Sequence, residues 1–122
     1  MIGYVTLGSN DLQGSAKFYD ELLAVLGAKR TMEMDTFIAW GTDPAAPMVS
    51  IIKPFDGEPA TVGNGVMVSF LASSKAQVDE VYNKAMALGA KDEGAPGNRG
   101  DNFYAGYFRD LDGNKLNAFY MG

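Results

Sequence analysis

The string Leu-Gly-Ala-Lys occurs at residues 26–29 and again at residues 88–91, 62 positions apart in a chain of 122. Four matching residues carry weight only if their flanks match, and these do. Each copy closes a stretch with helical apolar spacing. A polar capping residue precedes that stretch, and a strand-like run precedes the cap. Residues 2–8 correspond to 65–71 and cap Asn10 to Ser74, and each cap is followed three residues later by a glutamine, Gln13 or Gln77. A chain organised this way is a duplicated unit. A half of ~60 residues buries little surface alone, whereas one body of the full length buries roughly two-thirds of its unfolded surface. One domain over residues 1–122 is therefore expected, with module one at about 1–53 and module two at about 64–122.

Alternation places Val5 and Leu7 on one face of the first strand, and Tyr4 and Thr6 on the other. A helix over 11–26 follows, capped by Asn10 with Gln13 reaching back. Its apolar stripe is Leu12, Ala16, Tyr19, Leu23 and Leu26, and Gly27 stops it. Breaks near Asp35 and across 42–47 leave three short strands, around 30–34, 36–41 and 48–52. Residues 53–64 read as the connection between halves. In the second half, Val66, Val68 and Phe70 share one strand face while Met67 and Ser69 share the other. Ser74 then caps a helix over 75–88 carrying Val78, Val81, Tyr82, Ala85 and Leu88, ended by Gly89. Residues 94–102 are polar and rich in breakers, and are expected to form a mobile loop. Residues 103–109 and 115–121 alternate like the arms of a hairpin around 110–114, where Gly113 supplies the positive φ of the turn. Both halves are thus βαβββ.

Composition removes several function classes. The net charge of −5, from 10 basic and 15 acidic residues without basic clustering, argues against nucleic acid as a partner. No run approaches the ~18 apolar residues of a membrane span. Met1 leads into a strand rather than a signal segment, so a cytoplasmic location is expected, with no membrane partner. Cysteine and histidine are both absent, so no disulfide, thiolate metal site or histidine-based triad can form. Asp110, Asp112 and Asn114 have the opening spacing of a calcium loop, but Lys115 stands where a glycine is needed and Met121 where the closing acid is needed. Gly94, Gly97 and Gly100 recur every third residue without a helix behind them to hold a phosphate.

The start GYVTLGSNDLQGSAKFYDELLAVLG, the central GNGVMVSFLA and the end YFRDLDGNKLNAF resemble the glyoxalase / bleomycin-resistance / extradiol-dioxygenase superfamily, the vicinal oxygen chelate proteins. The resemblance covers the whole chain and is most specific in the Asp-x-Asp-Gly-Asn turn at 110–114. It implies an α+β fold in which two βαβββ modules form one domain, with a curved, antiparallel-rich sheet, a central cleft, helices outside, and a homodimer. Members hold a divalent metal through a histidine on the first strand of each half and an acid on each last strand. Here those places hold Tyr4, Met67 and Asn117, and none of residues 48–52 is His, Asp or Glu. A phenol, a thioether and an amide are poor ligands for such cations, so neither a metal nor another cofactor is expected.

On these strand faces the cleft is lined by Tyr4, Thr6, Met67, Ser69, Tyr107 and Asn117, either as a filled core or as an apolar pocket with a few polar groups, the usual make-up of a small-molecule site. Arg109 shares the face of Tyr107, where it meets an anionic ligand or pairs with Asp110 or Asp112. Phe37 and Trp40 are expected in the core, and Lys53 and Arg99 in solvent. Three functions follow. One is metal-free binding of a small planar organic molecule. The second is a glyoxalase-like lyase, isomerase or dioxygenase, with an unrecognised metal site or acid/base chemistry through Tyr4 and Tyr107. The third is a non-catalytic assembly or regulatory module. The residues leave open whether the chain is an enzyme.

Overall fold

The computed structural model describes all 122 residues. Each half runs strand, helix, three strands. Module one has β1 (Tyr4–Gly8), α1 (Leu12–Ala24), β2 (Lys29–Glu33), β3 (Phe37–Gly41) and β4 (Met48–Ile52). Module two has β5 (Val68–Leu71), α2 (Lys75–Ala87), β6 (Lys91–Asn98), β7 (Tyr104–Arg109) and β8 (Lys115–Tyr120). The strands form two four-stranded sheets, ordered β1-β4-β3-β2 and β5-β8-β7-β6. The α+β, two-module architecture is therefore present. Each sheet is mixed, because β1 pairs with β4, and β5 with β8, in parallel. The remaining pairs are antiparallel.

Local chemistry sets the helix ends. Ser74 Oγ accepts the Gln77 N–H at 3.0 Å, and Gln77 Oε1 in turn accepts the Ser73 N–H at 2.7 Å, so α2 begins where its cap was expected. In α1 the cap lies one residue later than expected: Asp11 Oδ1 accepts the Gly14 N–H at 3.1 Å. Asn10 is drawn elsewhere, donating its N–H to Asp112 Oδ1 at 2.8 Å and exchanging side-chain bonds with the Ala60 backbone. Both helices close alike, with Gly27 at φ +79° and Gly89 at φ +97°. The residue after each glycine then donates back into the last turn, Ala28 to the Leu23 carbonyl and Ala90 to the Ala85 carbonyl. This closure is what the two Leu-Gly-Ala-Lys strings encode.

The stretch expected as a mobile loop is largely strand. β6 runs through Gly94, Pro96 and Gly97 to Asn98 and pairs with β7 through two register shifts. β6 is the edge strand of its sheet, where a proline loses no ladder bond and bulges are tolerated.

One hydrophobic cluster of 19 buried residues draws on both modules, with Tyr19, Leu22 and Leu23 from α1, and Val78 and Val81 from α2. Each helix covers one face of its own sheet and meets the other helix, while the strand backbones of the two sheets stay more than 8 Å apart, Cα to Cα. Strands β1 and β5 are left as unpaired edges. No helix is long and apolar enough to cross a membrane.

Candidate functional site

The faces of the two sheets that carry no helix hold the residues singled out from sequence. In module one, Tyr4 and Thr6 line a concavity of about 340 Å³ together with Met32, Met34 and Phe37. The Tyr4 and Phe37 rings meet edge-on at 6.0 Å. Tyr4 is nonetheless 57% exposed, so this face is an open apolar surface rather than a filled core. In the middle of it Ser50 Oγ donates to the Val5 carbonyl at 2.8 Å and lies 3.2 Å from Thr6 Oγ1.

In module two, Ser69, Asn117 and Tyr107 lie side by side across three strands. Asn117 is 1% exposed, and its side-chain oxygen has no hydrogen-bond partner. Two cations lie over the Tyr107 ring, Arg99 at 5.5 Å and Lys115 at 5.7 Å. Arg99, expected in solvent alone, folds back along β6 and donates to the Ala95 carbonyl at 2.6 Å. Gly94 and Gly97 make room for it, since a Cβ on Gly97 would fall 2.9 Å from its Nη1. Arg109 pairs with neither Asp110 nor Asp112. It donates to Glu93 Oε1 at 2.6 Å and to the Gly113 carbonyl at 3.0 Å, and the first of these bonds holds the Glu93 carboxyl below its ordinary range. Tyr107, Arg109 and Lys115 border a concavity of about 550 Å³ with residues 62–67.

A third cavity, of about 450 Å³, lies between the modules. Val5, Trp40 and Val49 border it from module one, Val68 and Phe70 from module two. Of the six residues expected to share one cleft, Met67 and Ser69 reach this cavity. Tyr4 and Thr6 line the module-one concavity, and Tyr107 shares the module-two concavity with Met67. Asn117 lies beneath the module-two face without lining any of the three. Trp40 is buried as expected, its indole N–H donating to Asp20 Oδ1 at 2.8 Å.

The Asp110–Asn114 turn does more than join two strands. Asp110 Oδ1 accepts the backbone N–H groups of Asp112 and Asn114, and its Oδ2 accepts Asn114 Nδ2 and, at 2.5 Å, the hydroxyl of Tyr19 from module one. Asn114 Nδ2 also donates to the Gly8 carbonyl at 3.0 Å. The turn thereby fastens the modules together. Sequence patterning marks it only as a turn, because the partners lie about a hundred residues away. Tyr19, Tyr82 and Tyr104 each donate to a carboxylate, and each phenol is pushed above its ordinary value. For Tyr19 the first cause is burial. For Tyr82 and Tyr104 it is the bond to Asp92 and to Asp79.

The metal implied by the resemblance can be tested against this geometry. Thr6 pairs with Ser50 as Ser69 pairs with Asn117, so the register fixes Ser50 as the module-one counterpart of Asn117. The donor set would be Tyr4, Ser50, Met67 and Asn117, with no carboxylate or imidazole among them. Nowhere in the chain do three His, Cys, Asp or Glu side chains gather within metal-binding reach. These residues do not fit a divalent cation.

Comparison with known proteins gives three results. The family model "Glyoxalase/Bleomycin resistance protein/Dioxygenase superfamily" matches residues 1–118. Among solved structures, a glyoxalase/bleomycin resistance protein from Albidiferax ferrireducens T118 is similar at 38% identity with a TM-score of 0.92, over 100% of this chain and 99% of that one. A lactoylglutathione lyase from Agrobacterium tumefaciens, at 23% identity and TM-score 0.71 over 98% and 92% of the two chains, shares the fold alone. So does a glyoxalase/bleomycin resistance protein/dioxygenase family enzyme from Burkholderia phytofirmans PsJN, at 18% identity and TM-score 0.77 over 98% of each chain. No curated protein matches the chain.

Proposed function

The chain belongs to the glyoxalase/bleomycin resistance protein/dioxygenase superfamily, and from that premise we propose that it is a metal-free member, binding a small planar organic molecule in a cleft completed by a second copy of the chain. The observation that carries this reading is the state of the two helix-free faces. Tyr4, Met32 and Met34 stand exposed on one, and the other buries an unpaired Asn117 oxygen. Exposed apolar faces of this kind mark binding surfaces, and a buried polar atom without a partner calls for one. Each face also ends at an unpaired strand edge, β1 or β5, a liability that proteins usually cover. Laying the module-one face of one chain against the module-two face of its partner would bring Tyr4 and Thr6 opposite Met67, Ser69, Tyr107 and Asn117. The resulting site is aromatic and adaptable, with Met67 as the flexible wall.

A thermal-shift screen tests it, because a ligand that binds only the folded state raises its apparent stability. Planar aromatic metabolites should raise Tm, whereas zinc, nickel, manganese and iron(II) should not. Met67→Arg and Tyr4→Ala should each abolish the ligand response in folded protein. Stoichiometric metal retained by untagged protein, or normal binding by both variants, would sink the reading. Light scattering should return twice the 13.0 kDa of one chain, and the single-chain mass would rule out a cleft shared between copies.

A further inference from the structure

We propose that the helix-free face of module two is the anion end of the ligand site, and that the molecule bound there is an organic acid: a carboxylate on an aromatic body, met by Lys115 and Arg109 where they border one concavity with Tyr107. This rests on the preceding reading and names the ligand class for the same site. The chain as a whole is acidic, at −5, yet three of its ten basic side chains, Arg99, Arg109 and Lys115, converge around Tyr107. Only Arg109 has a carboxylate partner, Glu93. Neither Lys115 nor Arg99 takes part in any of the chain's ion pairs. Of the two cations that border the concavity, Arg109 is paired with Glu93 and Lys115 is left without an acid, so positive charge faces it.

The duplication supplies an internal control, since the matching concavity of module one is lined without a single charged residue. The charge is thus a property of one module's face rather than of the fold. The two faces together would suit a molecule with one apolar and one anionic side. Asn117 adds a second polar contact. Its buried, unpaired oxygen belongs to the same strand face as Lys115, and the Cα atoms of the two residues stand about 7 Å apart along the strand. With the side chains above Asn117 parted by the ligand, a hydroxyl on the far side of an aromatic ring from the carboxylate would satisfy it.

The probes are 4-hydroxybenzoate and its uncharged methyl ester, titrated into the full chain by calorimetry at low and high salt. The acid should bind at least tenfold more tightly than the ester and weaken as salt screens the charge. Lys115→Gln should remove most of that preference while leaving Tm in the absence of ligand unchanged, and Lys115→Arg should retain it. If acid and ester bind equally and Lys115→Gln changes neither, the anion assignment is overturned while the small-molecule reading stands. If neither these probes nor any neutral planar aromatic binds, the small-molecule reading falls and this inference falls with it.

Discussion

Asp110 is the only charged residue that is buried, and its carboxylate survives there because four donors surround it, one of them from the other module. Removing the Tyr19 hydroxyl with Tyr19→Phe strips one donor from a buried charge without opening a large cavity. The expected cost is about 1–3 kcal/mol in urea unfolding, and a cost near zero would mean that the node does not hold the modules. The same pair sets an alkaline limit. Burial first, and then the Asp110 charge, hold the Tyr19 phenol well above its ordinary value. Below pH ~10 the phenol keeps its proton in both the folded and unfolded chain, so its contribution is constant. Above that pH the unfolded chain ionises while the folded one resists, so stability falls as pH rises toward the folded pKa. Tyr19→Phe should therefore lose stability less steeply than the parent between pH 10 and 11.5, in urea melts taken across that range. Parallel curves would contradict it.

Glycine placement in β6 separates two physical effects that look alike in sequence. Gly94 sits at φ +147°, which a side chain rarely adopts, so Gly94→Ala should destabilise by about 1–3 kcal/mol. Gly97 has no such backbone constraint. Its added Cβ would meet only the far end of the Arg99 side chain, which can swing away, so Gly97→Ala should cost less than about 1 kcal/mol. Urea melts of the two variants check the ordering, and the reverse order would show that Arg99, not the backbone, dominates this strand. β6 is illegible in the sequence for the same reason that it is odd: Gly94, Ala95, Pro96 and Gly97 give no alternation, and the strand exists through its pairing with β7. By contrast, the α2 cap at Ser74 and the glycine stops at Gly27 and Gly89 are local events, and local pattern finds them. The α1 cap slipped by one residue because Asn10 and Asp11 are both good caps, and only the distant Asp112 and Ala60 decide which one is free. Site residues divide similarly. Alternation places Ser69, Asn117 and Tyr107 on one face, but Arg109's choice of Glu93 depends on the β6 register.

The duplication was readable from two copies of four residues, yet how the copies face each other was not, because the contacts that set it are few and far apart in sequence. Tyr19 to Asp110 and Asn114 to Gly8 tie one module to the other, and the helices meet, while the strand backbones of the two sheets stay more than 8 Å apart, Cα to Cα. Tyr4 and Met67 consequently border different concavities of the same chain, and a site using both needs either a rearrangement or a second chain. The two possibilities give opposite results in a mixing experiment. A chain carrying Tyr4→Ala and a chain carrying Met67→Arg should each fail to bind alone. If the cleft joins module one of one copy to module two of the other, a mixed dimer places both substitutions in one cleft and leaves the other cleft wholly native. Unfolding and refolding the two variants together should then restore part of the ligand capacity, measured by calorimetry, at native affinity. If each cleft forms within one chain, every cleft in the mixture carries a substitution, and nothing is restored. Recovery in the mixture would thus place the site between copies, because symmetric pairing of a duplicated chain makes two damaged halves share one cleft.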